Sequence, residues 1–139
     1  MVNVYKRIGL SVYQGKDNRK ENGKLKVSNS KKRKHNYGRN PVLTKLSKDD
    51  KEIRYIIRTK GGNTKVKLKS ALYANVLNPD TKEIKKSKIL EILKNPNDKN
   101  LDREKIITKN TVINTSLGKA VVVSRPGQDG IINAVLIKQ

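Results

Sequence analysis

The stretch Ile53-Arg54-Tyr55-Ile56-Ile57-Arg58, followed by Gly61-Gly62-Asn63 and Lys65-Val66-Lys67-Leu68-Lys69, decides the fold. Its first part is rich in β-branched and aromatic residues, which favour strands. The two glycines permit the positive φ angles of a turn. The last part alternates strictly, with Val66 and Leu68 on one face and three lysines on the other. This pattern predicts two strands joined by a turn, the second half-buried with a cationic outer face.

Short β-branched runs separated by turn residues continue to the end of the chain, at intervals of roughly 8–12 residues. Further strands are predicted at residues 72–77, 105–108, 111–115, 120–123, 131–132 and 134–137. Residues 84–93 are ambiguous, because Ile84, Ile89 and Ile92 fit a helical spacing while residues 89–93 also fit a strand. Asn95-Pro96-Asn97-Asp98 ends that segment in either case. The sequence therefore predicts a mainly β fold, a small barrel or sandwich of short antiparallel strands.

Basic residues are concentrated at the N-terminal end. Residues 1–48 carry 14 basic and 2 acidic side chains, whereas residues 49–139 carry 19 basic and 10 acidic ones. The first part has few large apolar residues, so it cannot bury enough apolar surface to offset the entropy lost on ordering. We predict an extended basic arm, residues 1–48, that is irregular without a partner to order it, and a globular body, residues 49–139. Residues 1–12 have apolar side chains at even spacing, which fits either a weak strand or a tail that orders on a partner.

The formal net charge of +21 is far above the magnitude of about 2–8 that serves solubility in a small domain. It predicts a polyanionic partner. A membrane surface is disfavoured, because the chain has no apolar run near the roughly 18 residues of a membrane span and the arm has no amphipathic helix pattern. Single-strand binding needs stacking aromatics, and only Tyr55 and Tyr73 are available on the predicted strands. Folded RNA or a duplex, contacted through phosphates and shape, is the remaining partner.

Catalysis and metal binding are poorly supported by the sequence. The only histidine, His35, lies in a basic run without an orienting partner. There is no cysteine, and Asp49-Asp50 is the only adjacent pair of carboxylates, which fits a turn or a helix start. We predict no enzyme activity, cofactor, metal or small-molecule substrate.

Arg125-Pro126-Gly127-Gln128-Asp129-Gly130 has two interpretations. Pro126-Gly127 fits a type II turn with glycine at the positive-φ position, and Arg125 and Asp129 could pair across the loop. The segment is then a structural loop between core strands. Alternatively, it presents Arg125 and Gln128 to a phosphate or a base.

Several motifs resemble the small-subunit ribosomal protein family S-eight-e of archaea and eukaryotes. The most specific is Ser124-Arg125-Pro126-Gly127-Gln128-Asp129-Gly130 with Asn133-Ala134-Val135-Leu136-Ile137. Others are Ile57-Arg58-Thr59-Lys60-Gly61-Gly62-Asn63, Ala74-Asn75-Val76, Ile106-Ile107-Thr108-Lys109, Leu117-Gly118-Lys119-Ala120, Tyr13-Gln14-Gly15 and Tyr37-Gly38-Arg39-Asn40-Pro41. The likeness covers about residues 13–137. Tyr13 stands where the family usually has Trp, Asp17 where it usually has Ser, and the large eukaryotic insertion is absent.

The resemblance implies an archaeal-type, mainly β protein that is a structural component of the small subunit, binds its ribosomal RNA and lies beside other small-subunit ribosomal proteins in the cytoplasmic ribosome. It also implies that the ambiguous segment at residues 88–93 is a strand. A second hypothesis is a non-ribosomal nucleic-acid chaperone or nucleoid protein. A third, a nucleic-acid enzyme, lacks a second His, a Cys or a set of paired carboxylates. The residues predicted to contact RNA are Lys16, Arg19, Lys20, Lys31, Lys32, Arg33, Lys34, His35, Arg39, Arg58, Lys60, Lys65, Lys67, Arg125 and Gln128.

Overall fold

The protein is described from a computed structural model, which covers residues 14, 19–26 and 33–137. The chain divides into two compact units, Met1–Pro41 and Val42–Gln139. The sequence placed the boundary a few residues later, near residues 47–52, whereas residues 44–46 pair into a sheet of the second unit. The strand or tail predicted at residues 1–12 lies outside the described residues.

The described part of the first unit contains two turns. Arg19 and Leu25 form an isolated antiparallel bridge around a turn, in which Gly23 has a φ of 78°. A 3-10 turn, Lys34–Asn36, buries none of its residues. Its last carbonyl, that of Asn36, accepts a hydrogen bond from the Gln14 amide at 2.8 Å. Backbone hydrogen bonds, rather than packed side chains, therefore define these turns.

The second unit is built from strands with two short helices. The strands are β1 (Thr44–Leu46), β2 (Ile53–Arg58), β3 (Thr64–Ala71), β4 (Tyr73–Leu77), β5 (Ile84–Lys94), β6 (Ile106–Ile107), β7 (Val112–Thr115), β8 (Gly118–Val122) and β9 (Asn133–Leu136). The helices are α1 (Lys99–Arg103) and α2 (Pro126–Asp129). The prediction of a mainly β fold is confirmed.

The strands form one open sheet and one closed barrel. The sheet has the order β2-β3-β1-β6, and the barrel has the order β4-β5-β7-β8-β9. Most pairs are antiparallel, as predicted, but β1 runs parallel to β3 and β4 runs parallel to β9. The parallel pairing of β4 with β9 closes the barrel. The core is aliphatic and consists of Leu68, Ala71, Ala74, Val76, Ile89, Ile92, Ile107, Ile113, Ala120, Val122, Ile132 and Ala134.

Strand β5 explains why residues 84–93 resemble a helix in sequence. It is a single strand of eleven residues whose register with β7 shifts between Ile89 and Glu91. The extra residue, Leu90, is 56% exposed. Because a bulge inserts one residue, both Ile89 and Ile92 reach the core despite their odd spacing. The strand implied by the family resemblance is thus confirmed, and the helix-like spacing of Ile89 and Ile92 results from a β-bulge.

Two short helices differ from the sequence prediction. Residues 95–98 end β5 as expected, but Asp98 then caps α1 by accepting a hydrogen bond from the Asn100 amide at 2.8 Å. The type II turn at Pro126-Gly127 is wrong. Pro126 instead begins α2, where its missing N–H costs nothing. The positive φ, 71°, falls on Gly130, which ends the helix.

Candidate nucleic-acid interface

The strands that decided the sequence prediction form a cationic hairpin, here called the β2–β3 ribbon (residues 53–71). Its turn, Lys60–Gly62, has φ angles of 77° and 83° at Gly61 and Gly62, which explains the two glycines. The ribbon carries four predicted contact residues. Arg58, Lys60 and Lys65 are exposed, and Lys67 is partly exposed.

The ribbon presents cations on both faces. Lys65 and Lys67 lie opposite Ile57 and Tyr55, whereas Arg58 is opposite Thr64 and points to the other face. None of the four predicted cations forms an ion pair with an acid in the described residues. The predicted burial of β3 holds only at its inner end, because Leu68 is 1% exposed but Val66 is 40% exposed. The outer half of the ribbon is therefore a solvated, positively charged projection.

Helix α2 lies against the side of β3 and brings two predicted residues together. The Lys65 ammonium donates a hydrogen bond to the Gln128 side-chain oxygen at 2.7 Å. Gly130 fits closely beside Val66, which permits this contact. The predicted pairing of Arg125 with Asp129 is made by the backbone, since the Arg125 amide donates to the Asp129 carboxylate at 2.8 Å. The Arg125 residue is exposed at the start of α2.

In the described part of the first unit, the predicted contact residues lie on or near two turns. Arg19 and Lys20 flank the bridge at residues 19–25, and the Arg19 guanidinium donates to the Gly23 carbonyl at 2.9 Å. Arg33, Lys34 and His35 enter the 3-10 turn, and they are exposed, as is Arg39. Lys16, Lys31 and Lys32 are outside the described residues, so their position stays a prediction.

Sequence reasoning missed a second group of cations, near the barrel surface. The Lys86 ammonium lies 4.4 Å from the centre of the Tyr73 ring. Arg54 pairs with Glu52 at 2.8 Å, and Lys88 pairs with Asp50 at 2.8 Å. Lys86 and Lys88 are register partners of Asn75 and Tyr73, so this group would have been predicted only if the pairing of β4 with β5 had been known.

One titrating group in this region is clearly perturbed. The pKa of Lys88 is raised, chiefly by its hydrogen bond to the Asp50 carboxylate and then by the charge of that carboxylate. Like any lysine near its ordinary pKa, Lys88 is charged at neutral pH, and the Asp50 carboxylate extends that charge to still higher pH.

Other kinds of site find no support in the described residues. No group of three or more His, Cys, Asp or Glu side chains could hold a metal ion there. Across residues 14, 19–26 and 33–137, no helix is both long and apolar enough to span a membrane. The fold and its surface thus define a basic, mainly β protein suited to contact a polyanion through lysine and arginine.

Comparison with known proteins narrows this class. The family model described as Ribosomal protein S8e matches residues 13–137. "Small ribosomal subunit protein eS8" of Saccharolobus solfataricus is 54% identical over 129 residues, which cover 93% of this chain and 96% of that protein. The proteins of the same name from Sulfolobus acidocaldarius and Hyperthermus butylicus are 49% and 48% identical, each over 94% of this chain and over 100% and 95% of their own lengths.

The chain belongs to the ribosomal protein S8e family, a family of structural ribosomal proteins without enzyme activity. The match covers both the barrel and the β2–β3 ribbon.

Proposed function

We propose that the protein is a structural constituent of the small ribosomal subunit in an archaeal-type cytoplasmic ribosome, where it binds and stabilises small-subunit ribosomal RNA beside other ribosomal proteins. The family membership supports the ribosomal role. The observation that supports RNA contact is the ribbon itself, whose four predicted cations have no acidic partner among the described residues.

The chemistry of this contact is phosphate neutralisation. Each lysine or arginine that meets a phosphate releases a condensed counterion, which favours binding most strongly at low salt. A-form RNA has a wide, shallow minor groove bordered by phosphates. A two-stranded ribbon with Arg58 on one face and Lys65 and Lys67 on the other can contact both borders. Lys60 at the tip and Arg125 on α2 extend the same positive surface in this proposal.

The first unit adds a second, more local cationic surface. Arg33, Lys34 and Arg39 are exposed and lie in or beside a turn without buried residues. We propose that these residues, with Lys31 and Lys32, lie against phosphates and that RNA fixes the shape of the segment.

Removing the first unit tests whether the arm helps to anchor the protein on RNA. The cut belongs after residue 41, because β1 begins at Thr44 and supplies the centre of the open sheet. We expect residues 42–139 to remain folded by circular dichroism, to bind ribosomal RNA more weakly and to show a shallower salt dependence. A truncated protein that bound as tightly, with an unchanged salt dependence, would contradict the proposed anchoring role of the arm.

Sedimentation and crosslinking test the ribosomal role itself. A tagged full-length chain is expressed in an archaeal host, and its extract is separated on a sucrose gradient after ultraviolet crosslinking. We expect most copies to sediment with small subunits and their crosslinks to fall on small-subunit ribosomal RNA. Copies found mainly with chromosomal DNA or with many unrelated RNAs would instead support a nucleoid protein or a nucleic-acid chaperone.

A further inference from the structure

A cleft of about 140 Å³ opens on the outside of the second unit, between β4, the start of β2 and the residues that precede β9. Its floor is apolar, because Leu68 and Ile132 are 1% and 2% exposed. The lining consists of Glu52, Arg54, Leu68, Tyr73, Asn75, Lys86, Ile131 and Ile132. The cleft thus has buried apolar residues at its base and polar groups at its rim, and it is smaller than the roughly 300–1,000 Å³ of a drug-sized ligand site.

Tyr73 supplies an exposed aromatic face at this cleft. Ala74 and Val76 point into the barrel, so strand alternation turns Tyr73 outward. The residue is 39% exposed although it lies on a closed barrel. The Lys86 ammonium lies over one face of the ring, 4.4 Å from its centre, so that a ligand would meet the cation and the remaining exposed part of the ring together.

Two asparagine side chains form a polar edge next to that ring. Asn75 and Asn133 are direct register partners on β4 and β9, and the Asn75 amide nitrogen donates to the Asn133 oxygen at 3.1 Å. No hydrogen bond to a described residue occupies the Asn75 side-chain oxygen or satisfies the Asn133 side-chain nitrogen. Asn75, which lines the cleft, thus keeps a side-chain oxygen that can accept a hydrogen bond from an N–H group of a base.

The charge of the rim favours an anionic ligand. Glu52 is the only acid in the lining, and both of its oxygens are engaged, one by Arg54 at 2.8 Å and one by the Tyr73 amide at 3.3 Å. Lys86 has no acidic partner among the described residues. The rim therefore offers one uncompensated positive charge next to the aromatic face and the amide edge.

We infer that this cleft holds a single unstacked nucleotide of the bound RNA, with its base against Tyr73, its base edge at Asn75, and its phosphate at Lys86. The inference rests on the proposed function, because RNA supplies the nucleotide. The cleft contacts a base, whereas the β2–β3 ribbon contacts phosphates. The cleft therefore adds selectivity for an irregular RNA element to binding that is otherwise driven by charge.

An acidic side chain of a neighbouring protein is the competing occupant. It would satisfy Lys86 but would leave the exposed part of the Tyr73 ring and the free Asn75 oxygen unused. A base uses both. The two occupants differ in one measurable respect, since only the base depends on an unpaired nucleotide in the RNA.

The test compares RNA hairpins that carry one unpaired A, C, G or U with the same hairpin carrying none. The full-length chain binds each hairpin at low salt, and the affinity ratio between bulged and unbulged hairpins is measured. We expect at least one bulged hairpin to bind roughly 5- to 150-fold more tightly, the range that corresponds to one base–aromatic stack. Tyr73→Leu should bring this ratio close to one, and Tyr73→Phe should preserve it.

Tyr55 provides a matched comparison. It is 40% exposed, also has a lysine ammonium, that of Lys69, at 5.4 Å from its ring, and lies outside the cleft. Tyr55→Leu should leave the bulged-to-unbulged ratio unchanged, and Asn75→Ala should lower it. Thermal unfolding of each variant shows whether it is folded.

The outcomes separate the two proposals. A parent chain that binds every hairpin equally, or a Tyr73→Leu variant that keeps the full ratio, overturns the nucleotide site while leaving the proposed function intact. Tyr73 or Lys86 crosslinked to a protein in purified subunits likewise overturns it. A chain that binds no hairpin and no small-subunit ribosomal RNA at low salt contradicts the proposed function itself.

Discussion

Gly130 is the residue on which the position of α2 most clearly depends. It has a φ of 71°, ends the helix and is buried. A β-carbon added there would lie 2.9 Å from Cγ1 of Val66, 3.1 Å from the Val66 carbonyl oxygen and 3.2 Å from the Val66 β-carbon. Replacing it by alanine should therefore push α2 away from β3.

The expected cost of Gly130→Ala has two parts. An L-residue in the left-handed region costs about 1–2 kcal/mol, and inserting a methyl group into a packed contact costs about 1–3 kcal/mol more. Gly62→Ala separates the two, because Gly62 has a φ of 83° but no atom within 4 Å of the added carbon. The difference in unfolding free energy between the two variants should thus be about 1–3 kcal/mol and should report the contact with Val66 alone.

Urea unfolding of the full-length variants, followed by circular dichroism, measures this difference. The double variant Gly130→Ala/Val66→Ala removes the nearest Val66 atom and should recover part of the loss, which a double-mutant cycle detects. If Gly130→Ala and Gly62→Ala were equally stable, α2 would not be packed on β3 as described. The same result would remove the structural basis for the contact between Lys65 and Gln128.

Two further predictions concern the loops. Asn95→Ala should destabilise the protein by about 2–4 kcal/mol in urea unfolding. Asn95 is buried, and its amide nitrogen donates to the Ile106 carbonyl at 2.9 Å and to the Thr108 hydroxyl at 3.0 Å. A loss of stability below about 1 kcal/mol would contradict this prediction. Asp50→Asn should lower the pKa of Lys88 in an NMR titration, since Asp50 is the main cause of its elevation. In the parent chain, the stabilisation from that pair is present at neutral pH and is lost as pH rises through the raised pKa; an unchanged Lys88 pKa in Asp50→Asn would refute the assignment.

The sequence predicted strands best where one face is buried and the other solvated. The alternation at residues 65–69 places β3 correctly, because a period of two is local information. The β5 strand was ambiguous for an equally local reason, since the bulge at Leu90 replaces the period of two by a spacing of three. Only the pairing with β7 distinguishes that bulge from a helical turn.

The helices were missed although each carries a terminal signal. Asp98 caps α1, and Pro126 begins α2 with Gly130 just beyond its end. Four or five residues are too few for a periodic pattern, so the same residues also fit turns. The sequence prediction wrongly placed a turn at Pro126-Gly127, where α2 begins, and the positive φ lies at Gly130 rather than at Gly127.

Neither the cleft nor the contact between β3 and α2 could be found from the sequence, because both depend on residues that are far apart along the chain. Asn75 and Asn133 are 58 positions apart, and Lys65 and Gln128 are 63 positions apart. Composition and charge predict that a polyanion is bound, but they contain no information about which cations share a face. That information comes from the strand order, which joins β4 to β9 and places α2 beside β3.

The salt dependence of binding to small-subunit ribosomal RNA tests the central claim most directly. The logarithm of the affinity falls with the logarithm of the salt concentration, and each lost phosphate contact makes this fall less steep by about 0.7–0.9. Replacing Arg58, Lys60, Lys65 and Lys67 by glutamine should therefore reduce the steepness of this dependence by about 3. The same change at four exposed lysines outside the ribbon, Lys82, Lys94, Lys99 and Lys109, should alter it by less than about 1. Equal slopes for the ribbon variant and the parent chain would contradict the claim that the β2–β3 ribbon contacts the phosphates of RNA.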